Sequence, residues 1–174
     1  MQQTEWTKRK FNFDFPVGLF PVIIGRLKGA YPRIADLTEE ISNDKLSEQP
    51  DGKWSIKEHI GHLTDLEELH HGRIDDFKNN EKILRAWDGL NLKTKKALHN
   101  EKTIDALLKA FYDVRSEFID ALLTFNDAEL IRTAIHPRLN IPMRVVDMAF
   151  FVAEHDDHHI AKIIDIKLSP SPIL

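Results

Sequence analysis

His155 and His159 stand four residues apart in the stretch F-F-V-A-E-H-D-D-H-H-I-A-K-I, residues 150–163. In a helix, residues i and i+4 lie one above the other on the same face. Two imidazoles so placed can grip one metal ion, which is the spacing logic of paired histidines in zinc proteases. Val145, Met148, Val152, Ile163 and Ile166 recur at spacings of three and four, or sums of these, and the two histidines fall in the middle of that apolar stripe. A polar ring on a core-facing stripe must find a partner or it costs free energy. A shared metal would satisfy both rings, and so would hydrogen bonds to neighbours. The pair alone leaves both readings open.

A metal held by two histidines needs further donors, and helical bundles supply them from facing helices. The segment 55–79 offers His59, His62, His70 and His71. On a helical wheel His59 and His70 lie near the middle of the apolar arc formed by Ile56, Leu63, Leu66, Ile74 and Phe77. His62 lies at its edge, beside Leu66 and Leu69. Burial by periodicity therefore favours His59 or His70 as the third donor.

A family resemblance points elsewhere. The run G-K-W-S-I-K-E-H-I-G-H-L-T-D-L-E-E, residues 52–68, resembles the second-helix motif of the DinB-like (YfiT-like) superfamily of metal-dependent enzymes. The distant partner stretch is similar too: a loop with Pro142, an amphipathic helix, then H-x-x-x-H followed by an aliphatic residue. The pieces occur in the family's order and the likeness covers nearly the whole chain. In that family the histidine immediately before Leu-x-Asp is a metal ligand, which implies His62, and the C-terminal pair supplies the others, His155 and His159. The resemblance also implies a four-helix bundle, often a homodimer, with the metal open at one end. Its members include thiol S-transferases that use a low-molecular-weight thiol, and metal-dependent hydrolases.

Three imidazoles leave open coordination positions, the mark of a catalytic rather than a structural site. Imidazole ligation suits Zn, Ni, Cu or Fe(II); we take Zn or Ni first as the divalent cofactor, with Fe or Mn behind them. Such a metal can acidify a bound water or thiol. The chain has no cysteine, so a thiol would have to arrive as a cosubstrate beside a small-molecule substrate. Asp65, one turn from His62, is read either as a carboxylate that orients the histidine or a water, or as an ordinary helix-surface acid. Glu154, Asp156 and Asp157 are read as surface acids, His59 and His70 as core or lining residues. His71, His99, His136 and His158 are expected to be exposed or behind the ligands. The competing reading is a non-catalytic bundle that binds a small ligand or partner and keeps a structural or vestigial histidine cluster.

The elements that must position these groups follow from periodicity. Residues 1–16 are polar with interspersed aromatics and read as an irregular arm. Residues 20–42 keep a helical period through Phe20, Ile23, Ile24, Leu27, Tyr31, Ile34, Leu37 and Ile41, with Pro32 as a candidate kink. Residues 43–54 hold the turn signal Pro50-Asp51-Gly52. Ser55-Ile56-Lys57-Glu58 is a capping box opening a helix to about residue 79. Residues 80–100, containing Trp87-Asp88-Gly89, read as a long connection of the functional kind. Thr103 caps a third helix over 104–125, residues 128–140 are irregular, and 141–168 form the helix bearing the paired histidines, stopped by Ser169-Pro170-Ser171-Pro172. The expected class is all-α, one four-helix bundle domain over the 174 residues, with a long connection between its second and third helices.

Composition narrows the function. A net charge of −4 and the absence of a basic stripe argue against nucleic acid. No apolar run approaches the roughly 20 residues of a membrane span, and the polar start has no secretory h-region, so cytoplasm is the expected location. There is no Ser-His-Asp signature, no nucleophile elbow and no phosphate-cradling glycine loop.

Overall fold

The computed structural model describes residues 3–169. Four long helices dominate. Helix α1 spans Phe20–Thr38, and a short α2 follows at Asn43–Ser47. Helix α3 is Ile56–Lys78, α4 is a single turn at Leu92–Lys96, and α5 is Ile104–Leu122. Another turn, α6 at Asp127–Leu130, leads into a hairpin of β1, Thr133–His136, and β2, Ile141–Arg144. Helix α7, Val145–Leu168, completes the bundle. Of the expected stop, Ser169 ends α7 with an extended backbone; Pro170, Ser171 and Pro172 lie outside the described residues.

Local chemistry sets the helix starts. Ser55 Oγ accepts from the Glu58 amide at 3.1 Å while the Ser55 amide donates to Glu58 Oε2 at 2.8 Å, a complete capping box. Thr103 Oγ1 caps α5 by accepting from the Ala106 amide. Pro32 sits inside α1 without ending it; both Pro32 and Lys28, whose carbonyl the missing N–H leaves free, are exposed to solvent.

Four boundaries differ from the sequence expectation; one is that α5 ends at Leu122, short of Phe125. α1 ends at Thr38, short of Ile41. The segment expected to be all turn holds α2, capped by Ser42. The irregular stretch 128–140 and the expected first turn of the last helix instead pair as the hairpin, with Ile135 opposite Pro142. β1 also pairs with the connection: Leu84 N donates to Ile135 O at 3.0 Å, and Ile135 N to Lys82 O at 2.9 Å. Ladders to distant segments outweigh a helical reading of four residues.

Packing fixes an unusual order. α1 packs on α7 and α5, and α3 packs on α5 and α7, so α1 and α3 lie diagonally across the bundle. The core divides into two apolar clusters. One joins the first half of α1 (Phe20, Ile24, Leu27), the end of α3 (Ile74, Phe77), the end of α5 (Phe118, Leu122) and the start of α7 (Met148, Val152). The other joins the end of α1, the starts of α3 and α5, and the end of α7 (Ile34, Ile60, Phe111, Ile163). α1 and α7 therefore run parallel, with α3 and α5 antiparallel to both. Parallel neighbours cannot be joined by a tight loop, so the 79–103 connection travels back along α3. It starts with Arg85 on Asp76 and ends with Asn100 on Ser55.

Between the clusters lies a buried polar layer. Arg115, from α5, donates to Glu67 Oε1 of α3 through Nε at 2.9 Å and Nη2 at 2.6 Å, and binds both oxygens of Asp156 on α7. All three side chains are buried. Burial pushes the Asp156 carboxyl up, and the guanidinium only partly offsets it; Glu67 is also raised by burial, but Arg115 and His70 outweigh that and hold it low. Asp156 is thus not the surface acid expected from sequence. Glu154 and Asp157 are half-buried and pair with Arg9, Arg26 and Arg33. Removing one partner of a buried ion pair strands the others at a cost of about 3–5 kcal/mol. Arg115→Met, which keeps the volume, should lower unfolding stability by about that amount in urea titrations; a loss below about 1 kcal/mol would show that the layer does not hold the bundle.

Candidate metal centre

His62 of α3 and His155 and His159 of α7 meet where those antiparallel helices cross. Each offers a ring nitrogen within 4.8 Å of the others, and all three are buried. The ring centroids are 4.5 Å apart for His155–His159, 4.8 Å for His62–His159 and 5.4 Å for His62–His155. The Nε2 atoms of His155 and His159 face each other at 3.1 Å. Two nitrogens bound to one zinc at about 2.0–2.1 Å would stand roughly 2.9 to 3.4 Å apart, between right-angled and tetrahedral geometry. The pair falls inside that range.

Burial lowers the pKa of all three rings. His62 is brought to about 4, with Asp65 pulling the other way. His155 and His159 lie well below the ordinary value, first by burial and then by the neighbouring imidazoles. They are neutral at pH 7, so their lone pairs are free to ligate.

Hydrogen bonds behind the rings choose which nitrogen is free. Lys102 Nζ lies 3.3 Å from His99 Nδ1 and can only donate to it, so the His99 proton sits on Nε2, which donates to Asp65 Oδ2 at 2.8 Å. Thr94 Oγ1 lies 3.1 Å from His62 Nδ1, and a ring proton on that nitrogen leaves Nε2 for a metal. His159 Nδ1 lies 2.8 Å from His59 Nδ1, and with His159 as the donor its Nε2 is likewise left for a metal. The donor set therefore fits a divalent cation: three neutral imidazoles, two with their second nitrogen tied by a partner, as ligating histidines have.

Asp65 accepts from His99 and is not among the residues lining the cavity beside His62. Nor are the outlying histidines exposed: His99, His136 and His158 are all buried. His70 lies in the cavity wall with Nδ1 3.5 Å from Glu67 Oε1, too long for a good bond.

A cavity of about 530 Å³ opens beside the rings. Trp54 leans on His62 and His159 at 4.6 and 6.1 Å, and Trp6 of the N-terminal arm on His155 at 4.8 Å. Trp87 lines the cavity from the long connection. That connection is bent by Asp88, whose carboxylate accepts from the amides of Leu90, Asn91 and Leu92, with Gly89 at φ +75° making the turn. Sequence reasoning missed Trp6, Trp54 and Thr94 as site residues. Trp54, immediately before the capping box, was the one with a positional signal. Gly61 matters for the relay: a Cβ there would lie 2.3 Å from the His99 ring, so only glycine lets His99 reach Asp65.

The buried neutral rings make stability depend on pH. With a folded pKa of about 4 and an unfolded one near 6.5, His62 takes up its proton first in the unfolded chain. Stability is intact above about pH 6.5 and falls on acidification through pH 4, by about 3 kcal/mol from this ring alone. Urea midpoints of chelator-treated protein at pH 7.5, 5.5 and 4 should decline in that order, whereas a flat profile would mean that the rings are not buried.

The fold matches that of a solved structure, YfiT from Bacillus subtilis, itself described as a probable metal-dependent hydrolase with an unusual four-helix bundle topology. The two share 19% identity with a TM-score of 0.71, over 91% of each chain. No curated protein matches the sequence. The model of the DinB superfamily matches residues 26–163, which include the long helices from within α1 to near the end of α7. The chain belongs to the DinB superfamily.

Proposed function

We propose that the protein is a divalent-metal-dependent hydrolase of a small molecule, with His62, His155 and His159 as the metal ligands. The observation that carries this reading is the convergence of three buried, neutral imidazoles whose free nitrogens face one another beside a cavity. Likeness in fold to a probable metal-dependent hydrolase supports the reaction class. Zn and Ni suit the imidazole set best. When bound, such a cation supplies Lewis acidity, lowering the pKa of a water or thiol at its open positions.

The chain's own residues do the rest. Thr94 holds the His62 ring, and His59 holds that of His159. Trp6, Trp54 and Trp87 exclude bulk water from the cavity and give it flat apolar walls suited to an organic substrate. His70, in the wall one face from His155, is placed to carry a proton. Transfer of a low-molecular-weight thiol is the second reading. It shares the metal centre, and the chain's lack of cysteine requires that the thiol come from outside.

The test is metal content by mass spectrometry on protein purified without a nickel column. Wild type, His59→Ala and His70→Ala should carry near-stoichiometric metal, while His62→Ala, His155→Ala and His159→Ala should lose it. Metal retained by His62→Ala but lost in His59→Ala would reassign the third ligand, and no metal in reconstituted wild type would favour a binding module. Thr94→Val, which removes the hydrogen-bond partner of His62 Nδ1, should weaken zinc affinity by about 10–100-fold, measurable by competition with a chromogenic chelator.

A further inference from the structure

The cavity has a second chemical pole. No aspartate or glutamate lines it, although acids outnumber bases 28 to 24 in the chain. At the end formed by the hairpin it is lined by Arg73 of α3 and by His136 and Arg138 around β1. Arg73 is only 3% exposed, and its one hydrogen bond among the described residues runs from Nε to the Arg85 carbonyl. The nearby Asp76 is already claimed by Arg85 through the backbone amide, Nε and Nη2. Arg138 donates Nη1 to the Thr7 carbonyl, but its buried Nη2 has no partner among the described residues.

His136 completes the set. Its Nδ1 accepts from the Leu139 amide at 3.2 Å, which puts the ring proton on Nε2. That buried N–H donor is also without a partner. The three groups are near neighbours: burial, then Arg73 and Arg138, lower the His136 pKa to about 3. Two guanidinium groups and an unsatisfied N–H gathered at one wall of the cavity, with no carboxylate lining it among the described residues, are costly in the empty protein. An anion would satisfy all three.

We propose that this end of the cavity is an anion-binding pole. Arg73, Arg138 and the His136 Nε2–H would receive a carboxylate or phosphoryl headgroup of an elongated small molecule. The other end of that molecule lies at His62, His155 and His159, a second half that rests on the metal reading above. Scale permits it. His62 and Arg73 are eleven residues apart on α3, about 16 Å of helix rise, and helical side chains lean towards the N-terminus, so Arg73 leans back towards the imidazoles. Between the poles the wall is Leu66, Leu69 and Phe151, which favours an apolar body over a polyanion. Arginine matches either oxyanion with paired N–H donors.

Calorimetric titration of 4-phenylbutyrate, 4-phenylbutyl phosphate and uncharged 4-phenylbutanamide into the full chain tests this, with and without zinc. One or both anions should bind in both forms, at least tenfold tighter than the amide, and the stronger of the two identifies the headgroup. Arg73→Met and Arg138→Met should each weaken the anion tenfold or more while keeping zinc stoichiometry. His155→Ala should lose zinc yet still bind the anion, which separates failure of the metal reading from failure of this one. Should a variant misfold, the arginine side-chain 15N resonances of wild type report the contact directly. Equal binding of the amide, binding that vanishes with zinc, indifference of both arginine variants, or no binding of any probe would each overturn the proposal.

Discussion

Arg115 holds the middle of the bundle. Its guanidinium ties Glu67 on α3 to Asp156 on α7 in a layer with apolar clusters above and below. A buried charged triad gains little stability over a well-packed apolar layer; what it supplies here is register. Three helices are locked at one height by bonds that a one-turn slip would break, each break leaving an uncompensated charge. His155 is the residue before Asp156, and His62 lies one and a half turns before Glu67. The height that satisfies the ion triad is therefore the height at which the imidazoles meet.

The order of the helices imposes the second constraint. Because α3 and α5 are adjacent and parallel, the chain between them must return the full length of α3. That passage is what makes the site more than two facing histidines. It lays Trp87 on the cavity, brings Thr94 to His62, and seats His99 on Gly61 within reach of Asp65. An up-and-down bundle with short loops would leave this flank of α3 in water, and the His62 ring free to turn.

This explains which features were legible in the sequence. The capping boxes and helix periods depend on residues a few positions apart, so Ser55, Glu58 and Thr103 announce themselves. The i, i+4 histidines of α7 are visible for the same reason. The helical wheel set His62 at the edge of the apolar arc, yet it is only 3% exposed, because Trp54, and Thr94 of the connection, add to the cover that α7 provides. Only the family resemblance brought it forward. Asp156, in the run E-H-D-D-H, looks like a solvated acid until Arg115 arrives from another helix. The hairpin was invisible because its strands are four residues long and β1 is also bonded to the distant residues 82–84. Arg73 and Arg138 leave no local signature at all.

The charge distribution ties these constraints together. The chain is net acidic, yet its cavity contains no acid. Each carboxylate near the wall is spent elsewhere: Glu67 and Asp156 on Arg115, Asp76 on Arg85, Asp65 on His99, Glu154 and Asp157 on the arginines of α1 and the arm. Acids facing inward would raise the pKa of the imidazoles and compete with them for a cation. Facing outward, they instead fix the helices and the His99 tautomer, and the cavity presents imidazole nitrogens at one end and, among the described residues, unpartnered N–H donors at the other. That polarity is set by where the acids point.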